Sequence, residues 1–377
     1  MNRREFLKTT AVGAASLSAL PMPSMGASSP GTSPARGYER TVNRSRSKIA
    51  AYYFRAHMYT CVPRHIRDDM EWMADKGTNY VCPAFLEQDL FAAYENHAMI
   101  AEEAARVGMQ VLAVPSRWGG LTAGAPKVPS LFSMLNQHTL IVNKRGSTGI
   151  GPKVAGGISS VHHPDTFQFF CDTLIEMYRQ HPNLAGFIID EPKCFIADYS
   201  PMAVSALGKD APLSAHYGAA RDFFSRVCAF AKEKWPDKLT ILFQQAHNED
   251  DELEASSGVE HLDYFGVDGR PWGLEDDRKM ASSEAGQESG KGKVLLSGKG
   301  EKFIRLAHRI PGRKSFFLIE NHNLHADMIE PMDRNYPAVL GLGADMVTYY
   351  YYPRNVADPD RAMDVIGRHL RAFAQIG

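Results

Sequence analysis

Eight short apolar runs alternate with longer segments of helical periodicity from residue 48 to the end of the chain. Each run is almost continuously hydrophobic, which is typical of parallel strands that are buried on both faces. The segments between the runs carry apolar residues three and four positions apart, as Ile66, Met70 and Met73 do. The predicted strands are residues 49–54, 80–85, 110–114, 184–190, 239–244, 264–268, 315–320 and 346–351.

This strict alternation predicts an α/β fold, a closed (β/α)8 barrel. The alternative is an open, doubly wound sheet, which usually has a glycine-rich phosphate loop after its first strand. The segment Arg-Ala-His-Met-Tyr at residues 55–59 contains no glycine. Two connections, 117–164 after the third strand and 269–313 after the sixth, are too long to be simple linkers. They leave the carboxyl ends of strands, where barrels keep their active sites, and we expect them to form the walls or a lid of a cleft.

The first residues differ from the rest of the chain. Arg3 and Arg4 precede Glu-Phe-Leu-Lys, an apolar, alanine-rich run follows at residues 11–20, and small residues follow it. This pattern predicts a signal peptide over residues 1–27, and the arginine pair resembles the twin-arginine export signal. Residues 28–46 are rich in Ser, Pro, Gly and Arg, which predicts a flexible leader, with the barrel catalytic domain at 47–377. We therefore expect a periplasmic or secreted protein.

Composition limits the classes of partner and cofactor. The formal net charge is −1 and there is no basic block, which argues against nucleic acid and favours a neutral, sugar-like substrate. The five cysteines include no C-x-x-C pair, so neither a disulfide framework nor a zinc ribbon is expected. After the signal, no stretch reaches the ~18 apolar residues that a membrane span needs.

Several cofactor and catalytic motifs are missing from the sequence. Residues 146–152 begin like a phosphate loop but have Pro152 where the lysine is required. No G-x-G-x-x-G follows a strand, and neither H-E-x-x-H nor the G-x-S-x-G turn of serine hydrolases occurs. We therefore predict no cofactor and no bound metal.

Polar side chains occur instead near the end of almost every predicted strand. Because the carboxyl ends of all eight strands form one ring, we expect these side chains to surround one cleft. The candidates for substrate binding are Arg55, His57, Trp118, Asp190, Gln245, His247, Asp268, Arg270, Trp272, Asn321, His322 and Tyr350.

Glu191 and Glu320 are the candidate catalytic residues. Each ends an apolar run, where a carboxylate is costly to bury unless it is paired or used. The fourth and seventh strands lie across the barrel mouth from each other. Two carboxyl groups that flank a cleft are the catalytic groups typical of glycoside hydrolysis. The alternative is a structural role, in which the two glutamates only bind Arg55, Arg270 or Arg354.

The segment HPNLAGFIIDEP, residues 181–192, resembles the fourth strand of the large clan of retaining glycosidase barrels. The resemblance covers the order of the barrel strands and two short motifs. It implies that Glu191 is the acid/base and Glu320 the nucleophile of a retaining mechanism. The clan usually has asparagine before the acid/base, whereas this chain has Asp190, which indicates a divergent member.

Aromatic residues near the strand ends support a sugar ligand. Trp118, Trp272 and the four tyrosines at 349–352 could stack flat apolar faces on sugar rings. Side chains alternate along a strand, so two of the tyrosines should face the barrel or cleft and two the helices.

Two other functions remain open from the sequence. Glu191, His247, Asp268 and Glu320 could ring one divalent cation, as in a metal-dependent sugar isomerase, epimerase or lyase. A barrel that binds carbohydrate without catalysis is the other alternative.

Overall fold

The computed structural model describes residues 40–53, 61–124, 128–148, 156–272 and 296–376. The predicted signal peptide, most of the predicted leader, and the two candidates Arg55 and His57 lie outside these residues. Most of the connection after the sixth strand lies outside them as well.

Eight parallel strands close into a barrel in their sequence order. Each strand pairs with its neighbour along the chain, and the last pairs with the first through contacts such as Tyr350 with Tyr52. The predicted (β/α)8 barrel is therefore confirmed. The strands are β1 Lys48–Tyr53, β2 Tyr80–Phe85, β3 Gln110–Pro115, β4 Gly186–Asp190, β5 Leu239–Gln245, β6 Tyr264–Gly269, β7 Lys314–Ile319 and β8 Met346–Tyr351.

Alternate residues of each strand fill the barrel interior. Tyr52, Ile188, Phe243 and Leu318 belong to one fully buried cluster, in which the rings of Phe243 and Phe316 stack with centroids 5.3 Å apart. The residues between them face the surrounding helices and are also buried, which is why the sequence shows continuous apolar runs.

Helices follow the strands in the predicted alternation. Proline occupies the first turn of four of them, where its missing N–H costs no hydrogen bond. The helices are α1 Pro63–Asp75, α2 Tyr94–Arg106, α3 Leu131–Leu135, α4 Pro164–Gln180, α5 Pro201–Leu207, α6 Leu213–Lys234, α7 Asp250–Ser257, α8 Leu296–His308, α9 Ile329–Leu340 and α10 Pro359–Gln375. Short 3-10 turns lie at Glu87–Leu90, Trp118–Gly120, Gln137–Thr139 and Ala326–Met328.

The sequence pattern missed three short helices. These are α3, in the connection after β3, and α5 and α7, in the connections after β4 and β5. Their few turns have too little apolar periodicity to stand out from a loop. Asp250 and Asp251 lie in the first turn of α7, where carboxylates interact favourably with the helix dipole.

The end of the predicted flexible leader is held against the barrel. The backbone N–H of Arg44 donates to the carbonyl of Ala374 at 2.7 Å, and the amide of Asn43 donates to Asn79 at 2.8 Å. Residues 40–46 therefore lie in the same compact unit as the barrel. Within the described residues, no helix has the length and apolar character to cross a bilayer.

Candidate active site

Polar residues at the carboxyl ends of the strands, in line with the inward-facing side chains, lie together at the mouth of the barrel. Asp190 continues the inward-facing series of β4, Gln245 and Asp268 lie at paired positions of β5 and β6, and Glu320 directly follows β7. Tyr350 of β8 is close enough to Asp190, Asp268 and Glu320 to feel their charges. The ring of strand ends therefore brings these predicted residues to one place.

Glu191 reaches the same place through an unusual backbone conformation. It follows the inward-facing Asp190, so a continued strand would turn its side chain outward. Its φ of +38° lies in the left-handed region, and its N–H donates to the carbonyl of Phe243 at 3.0 Å. The Glu191 carboxyl shares a side-chain hydrogen bond with Asp268 and lies within electrostatic range of Glu320.

Lys193 is a member of the site that the sequence analysis missed. Its Nζ donates to Oε2 of Glu191 at 2.6 Å, and its backbone N–H donates to the carbonyl of Leu121 at 2.7 Å. Burial opposes the ammonium form, but Glu191 and Asp190 keep the pKa of Lys193 above its ordinary value. Its position two residues after Glu191, in Asp-Glu-Pro-Lys, was the available signal.

The carboxyl groups of the site differ in charge. Burial opposes ionisation of Glu191, yet Lys193 and the hydrogen bond from Asp268 hold its pKa below the ordinary value. Burial, with the charge of Glu191, raises the pKa of Asp190 to about 7. Burial, with the charges of Glu191 and Glu320, raises the pKa of Asp268 well above its ordinary value. One carboxylate and two readily protonated carboxyl groups therefore lie side by side.

Glu320 is held by a buried cation. Nε of Arg270 lies 3.5 Å from Oε2 of Glu320, and both side chains are almost fully buried. The Arg270 guanidinium lies over the ring of Trp272, with its Cζ 4.8 Å from the ring centroid. A cation at this distance favours a charged Glu320.

Aromatic rings line the carboxyl cluster. Tyr52, which the sequence analysis did not single out, donates its hydroxyl to Oδ2 of Asp190 at 3.1 Å. Its ring centroid is 5.3 Å from that of Tyr350, which in turn lies 5.1 Å from the ring of His322. The signal for Tyr52 was its inward position at the end of β1.

The side chains of the β8 tyrosines point alternately outward and inward, with one difference from the prediction. Tyr350 faces the interior, while Tyr349 and Tyr351 pack on Trp72 of α1. Tyr352 lies beyond the strand with a φ of +44° and is 43% exposed. One tyrosine of the strand, rather than two, therefore faces the cleft.

Three predicted substrate-binding residues have packing roles. Trp118 is fully buried against Phe85 and Phe170, and its indole N–H donates to the carbonyl of Phe85 at 2.8 Å. Trp272 is fully buried as well. Both rings therefore lack an open face for sugar, which corrects the stacking prediction.

Asn321 is the third of these residues. Its side-chain amide accepts from the N–H of Tyr350 and donates to the carbonyl of the same residue, both at 2.9 Å. These bonds hold the chain after β7 against the end of β8. The amide is therefore used to position Tyr350 rather than to bind a sugar hydroxyl.

Glu87 anchors the connection after β3. Its buried carboxylate accepts from Gly119 N–H at 2.9 Å, from Ser130 Oγ at 2.6 Å and from Phe132 N–H at 2.8 Å. A carboxylate that binds three donors from one connection orders that connection. Glu87 is thus a support of the cleft wall.

The four residues of the metal alternative do not form a compact ligand set. His247 is half-buried beyond the end of β5. Within the described part of the chain, the group whose ligand atoms all lie within 4.8 Å of one another is His138, His163 and Asp165. That group belongs to the connection after β3 and the start of α4.

The sequence matches no protein-family model and no curated protein. The structure is similar to the β-galactosidase of the haloarchaeon Halorubrum lacusprofundi, with a TM-score of 0.61 and 14% identity, over 88% of this chain and 58% of that chain. It is also similar to the β-amylase catalytic domain of Paenibacillus polymyxa, with a TM-score of 0.56 and 8% identity over 88% of this chain and 99% of that one. An endo-1,4-β-mannanase of Rhizomucor miehei gives a TM-score of 0.54 and 10% identity over 87% and 95% of the two chains.

The chain has the barrel fold of these glycoside hydrolases. The predicted resemblance is thereby confirmed at the level of fold, and identities this low carry it no further. The chain spans a little under three fifths of the length of the haloarchaeal β-galactosidase.

Proposed function

We propose that this protein is a glycoside hydrolase that cleaves a glycosidic bond of an extracellular or periplasmic carbohydrate. The observation that carries the proposal is the convergence of Glu191 and Glu320 on the carboxyl group of Asp268, at the mouth of the barrel. The two glutamates come from the ends of β4 and β7, so they can flank a bond that enters the mouth. The structurally similar barrels, which are named as a β-galactosidase, a β-amylase and an endo-1,4-β-mannanase, support the same reaction class.

The surroundings of the two glutamates support different roles. The Glu191 side chain is 13% exposed and that of Glu320 is 3% exposed, so Glu191 is the more accessible to a leaving group. Glu320, beside the buried Arg270, is suited to remain a carboxylate that attacks the anomeric carbon. We therefore assign Glu191 as acid/base and Glu320 as nucleophile of a retaining mechanism. A retaining pair requires its carboxyl groups to lie about 5–5.5 Å apart around the substrate.

The division of charge within the cluster supports acid–base chemistry. Environments that push the pKa values of neighbouring carboxyl groups apart are typical of sites that both donate and accept protons. Here Lys193 lowers the pKa of Glu191, while burial raises those of Asp190 and Asp268.

The tyrosines and polar residues at the mouth are proposed to bind the sugar. Tyr350 and His322 offer aromatic surface beside the carboxyl groups, and Asp190 and Gln245 can bind sugar hydroxyls. We also propose that the chain is exported by the twin-arginine pathway, from the arginine pair near its start.

The test compares hydrolysis of aryl glycosides and β-linked oligosaccharides by the wild type and two variants. We expect Glu320→Gln to lose nearly all activity on every substrate, because no nucleophile remains. Glu191→Gln should lose about 10²-fold or more on oligosaccharides and much less on aryl glycosides with good leaving groups, which need little protonation. Azide should partly rescue Glu191→Ala, and the anomeric configuration of the product, read by NMR, should be retained.

The matched control is Glu233→Gln, an exposed position of α6, which should behave as the wild type. Turnover within a few-fold of wild type in both active-site variants would show that the two glutamates are structural.

A further inference from the structure

A third carboxyl group, that of Asp268, lies between the two proposed catalytic glutamates. It shares side-chain hydrogen bonds with both Glu191 and Glu320. Asp268 is 2% exposed, and its buried Oδ2 meets no N–H or hydroxyl donor among the residues that the structure describes. Its side-chain hydrogen bonds are therefore with two other carboxyl groups.

Carboxylate oxygens only accept hydrogen bonds, so a bond between two carboxyl groups needs a proton on one of them. The charged and titratable groups around Asp268 are Glu191 on the β4 side, Glu320 on the β7 side, Lys193 after β4 and Tyr350 on β8. Lys193 bonds directly to Glu191, and Arg270 lies beside Glu320. The cations thus favour charge on the two glutamates, which leaves the proton on Asp268.

The charged state of Glu191 conflicts with the acid step of the proposed reaction. An acid/base glutamate has to give a proton to the leaving oxygen, yet Glu191 is held as a carboxylate by Lys193 at 2.6 Å. We propose that Asp268 stores the proton that Glu191 delivers to the leaving group, an inference that rests on the proposed glycosidase function. Asp268 is then a positioning residue, because it acts on the leaving group only through Glu191.

The transfer balances without any further reactant. The proton of the Asp268 carboxyl passes along the shared hydrogen bond to Glu191, which leaves Asp268 ionised. Glu191 then gives this proton to the glycosidic oxygen as its bond to the anomeric carbon breaks, and Glu320 forms the new bond to that carbon. In the second half-reaction Glu191 takes a proton from the attacking water, whose oxygen bonds to the anomeric carbon as the bond from that carbon to Glu320 breaks. Glu191 then returns the proton to Asp268, which restores the starting state.

The direct test measures the proton itself. Infrared difference spectra of protein isotope-labelled at the aspartate side-chain carboxyl carbon reveal protonated aspartates at neutral pH. We expect the wild type to show a protonated-carboxyl band that Asp268→Asn removes. Asp190→Asn is the necessary comparison, since the pKa of Asp190 is raised to about 7, and its contribution titrates away when the pH is increased above neutrality. The exposed Asp210→Asn should leave the spectrum unchanged.

The kinetic test separates proton storage from a merely structural role. The asparagine of Asp268→Asn can donate hydrogen bonds to both glutamates but cannot transfer a proton. We expect kcat on oligosaccharides to fall by about 10²-fold while kcat on dinitrophenyl glycosides stays within a few-fold. A structural defect would lower both equally, and this result would overturn the inference.

The outcomes also distinguish the inference from the function on which it rests. A wild type that hydrolyses glycosides without the aspartate band, or a band that persists in Asp268→Asn, refutes the proton store and leaves the glycosidase function standing. A wild type that shows the band and hydrolyses no glycoside refutes the proposed function, and with it the delivery step.

Discussion

The φ angle of Glu191 decides which way its carboxylate points. Strand geometry would place the side chain among the surrounding helices, and the left-handed conformation at +38° turns it to the mouth instead. Such a conformation is strained for a residue with a side chain and persists only where its surroundings hold it. The N–H bond to Phe243 and the Lys193 pair are the contacts that hold it.

The Lys193–Glu191 pair gives a prediction about stability and pH. The pKa of Glu191 is lowered in the folded protein, so the pair contributes stability above the unfolded value of about 4.3, and this contribution is lost as the pH falls. We expect Lys193→Met to lower the free energy of unfolding by about 3 kcal/mol at neutral pH, because it leaves a buried carboxylate without its cation. Urea unfolding at a second pH, well below about 4.3, should show a smaller difference, because the contribution of the pair is lost as the pH falls through the lowered pKa of Glu191.

The control for this variant is Lys302→Met. Lys302 pairs with Asp250 at the same 2.6 Å distance, but both side chains are largely solvent-exposed. Its loss should leave the free energy of unfolding close to that of the wild type at either pH, because the pair is screened by solvent. Equal effects of the two lysine variants would contradict the role assigned to Lys193.

At the scale of single elements, two strand glycines leave no room for a side chain. A Cβ on Gly266 of β6 would lie 1.7 Å from the carbonyl oxygen of Phe316 on β7, and one on Gly186 of β4 would lie 2.2 Å from that of Leu239 on β5. These are backbone atoms, which cannot move aside without moving the strand. Gly266 stands two residues before Asp268, so its fit also positions the carboxyl cluster.

Gly266→Ala should therefore destabilise the barrel. Since the added methyl group forces β6 away from β7, we expect a loss of about 3 kcal/mol or more in the free energy of unfolding. Gly218→Ala in α6 is the matched control, because a Cβ there meets nothing within 4 Å. That substitution should be neutral or stabilise the protein by up to about 1 kcal/mol through helix propensity. Thermal and urea unfolding measure both, and an unchanged midpoint for Gly266→Ala would contradict the strand packing described above.

At the scale of the whole molecule, closure of the barrel turns eight separate strand ends into one site. Export is the other property of the whole chain, and it is predicted from the first residues alone. Replacing both Arg3 and Arg4 by Lys should keep the precursor in the cytoplasm, because recognition of the twin-arginine signal depends on the guanidinium pair. Cell fractionation with immunoblotting measures this, with Arg36→Lys as the control outside the predicted signal. Normal export of the double variant would remove the localisation proposal.

The sequence by itself determined the barrel and the position of its site. Strand and helix periodicities are local, so they can be read from neighbouring residues, and they located every strand to within about two residues. Once the strands are known, barrel geometry brings their carboxyl ends together, and with them Glu191, Asp268 and Glu320. The short helices in the connections were not predicted because they lack a periodic apolar face.

Only the tertiary structure decided what each side chain does at the mouth. Tyr52 and Asp190 are 138 positions apart in sequence, and their hydrogen bond exists because closure of the barrel brings β1 and β4 to opposite sides of one mouth. Trp118 looked like a sugar-stacking residue and is instead buried, since its ring packs against Phe85 of β2 and Phe170 of α4. The placement of Asp268 between two glutamates likewise depends on strand register and on one left-handed residue. Such contacts form only when the whole barrel closes. The periodicity that predicts the fold, in contrast, is present within each strand–helix unit.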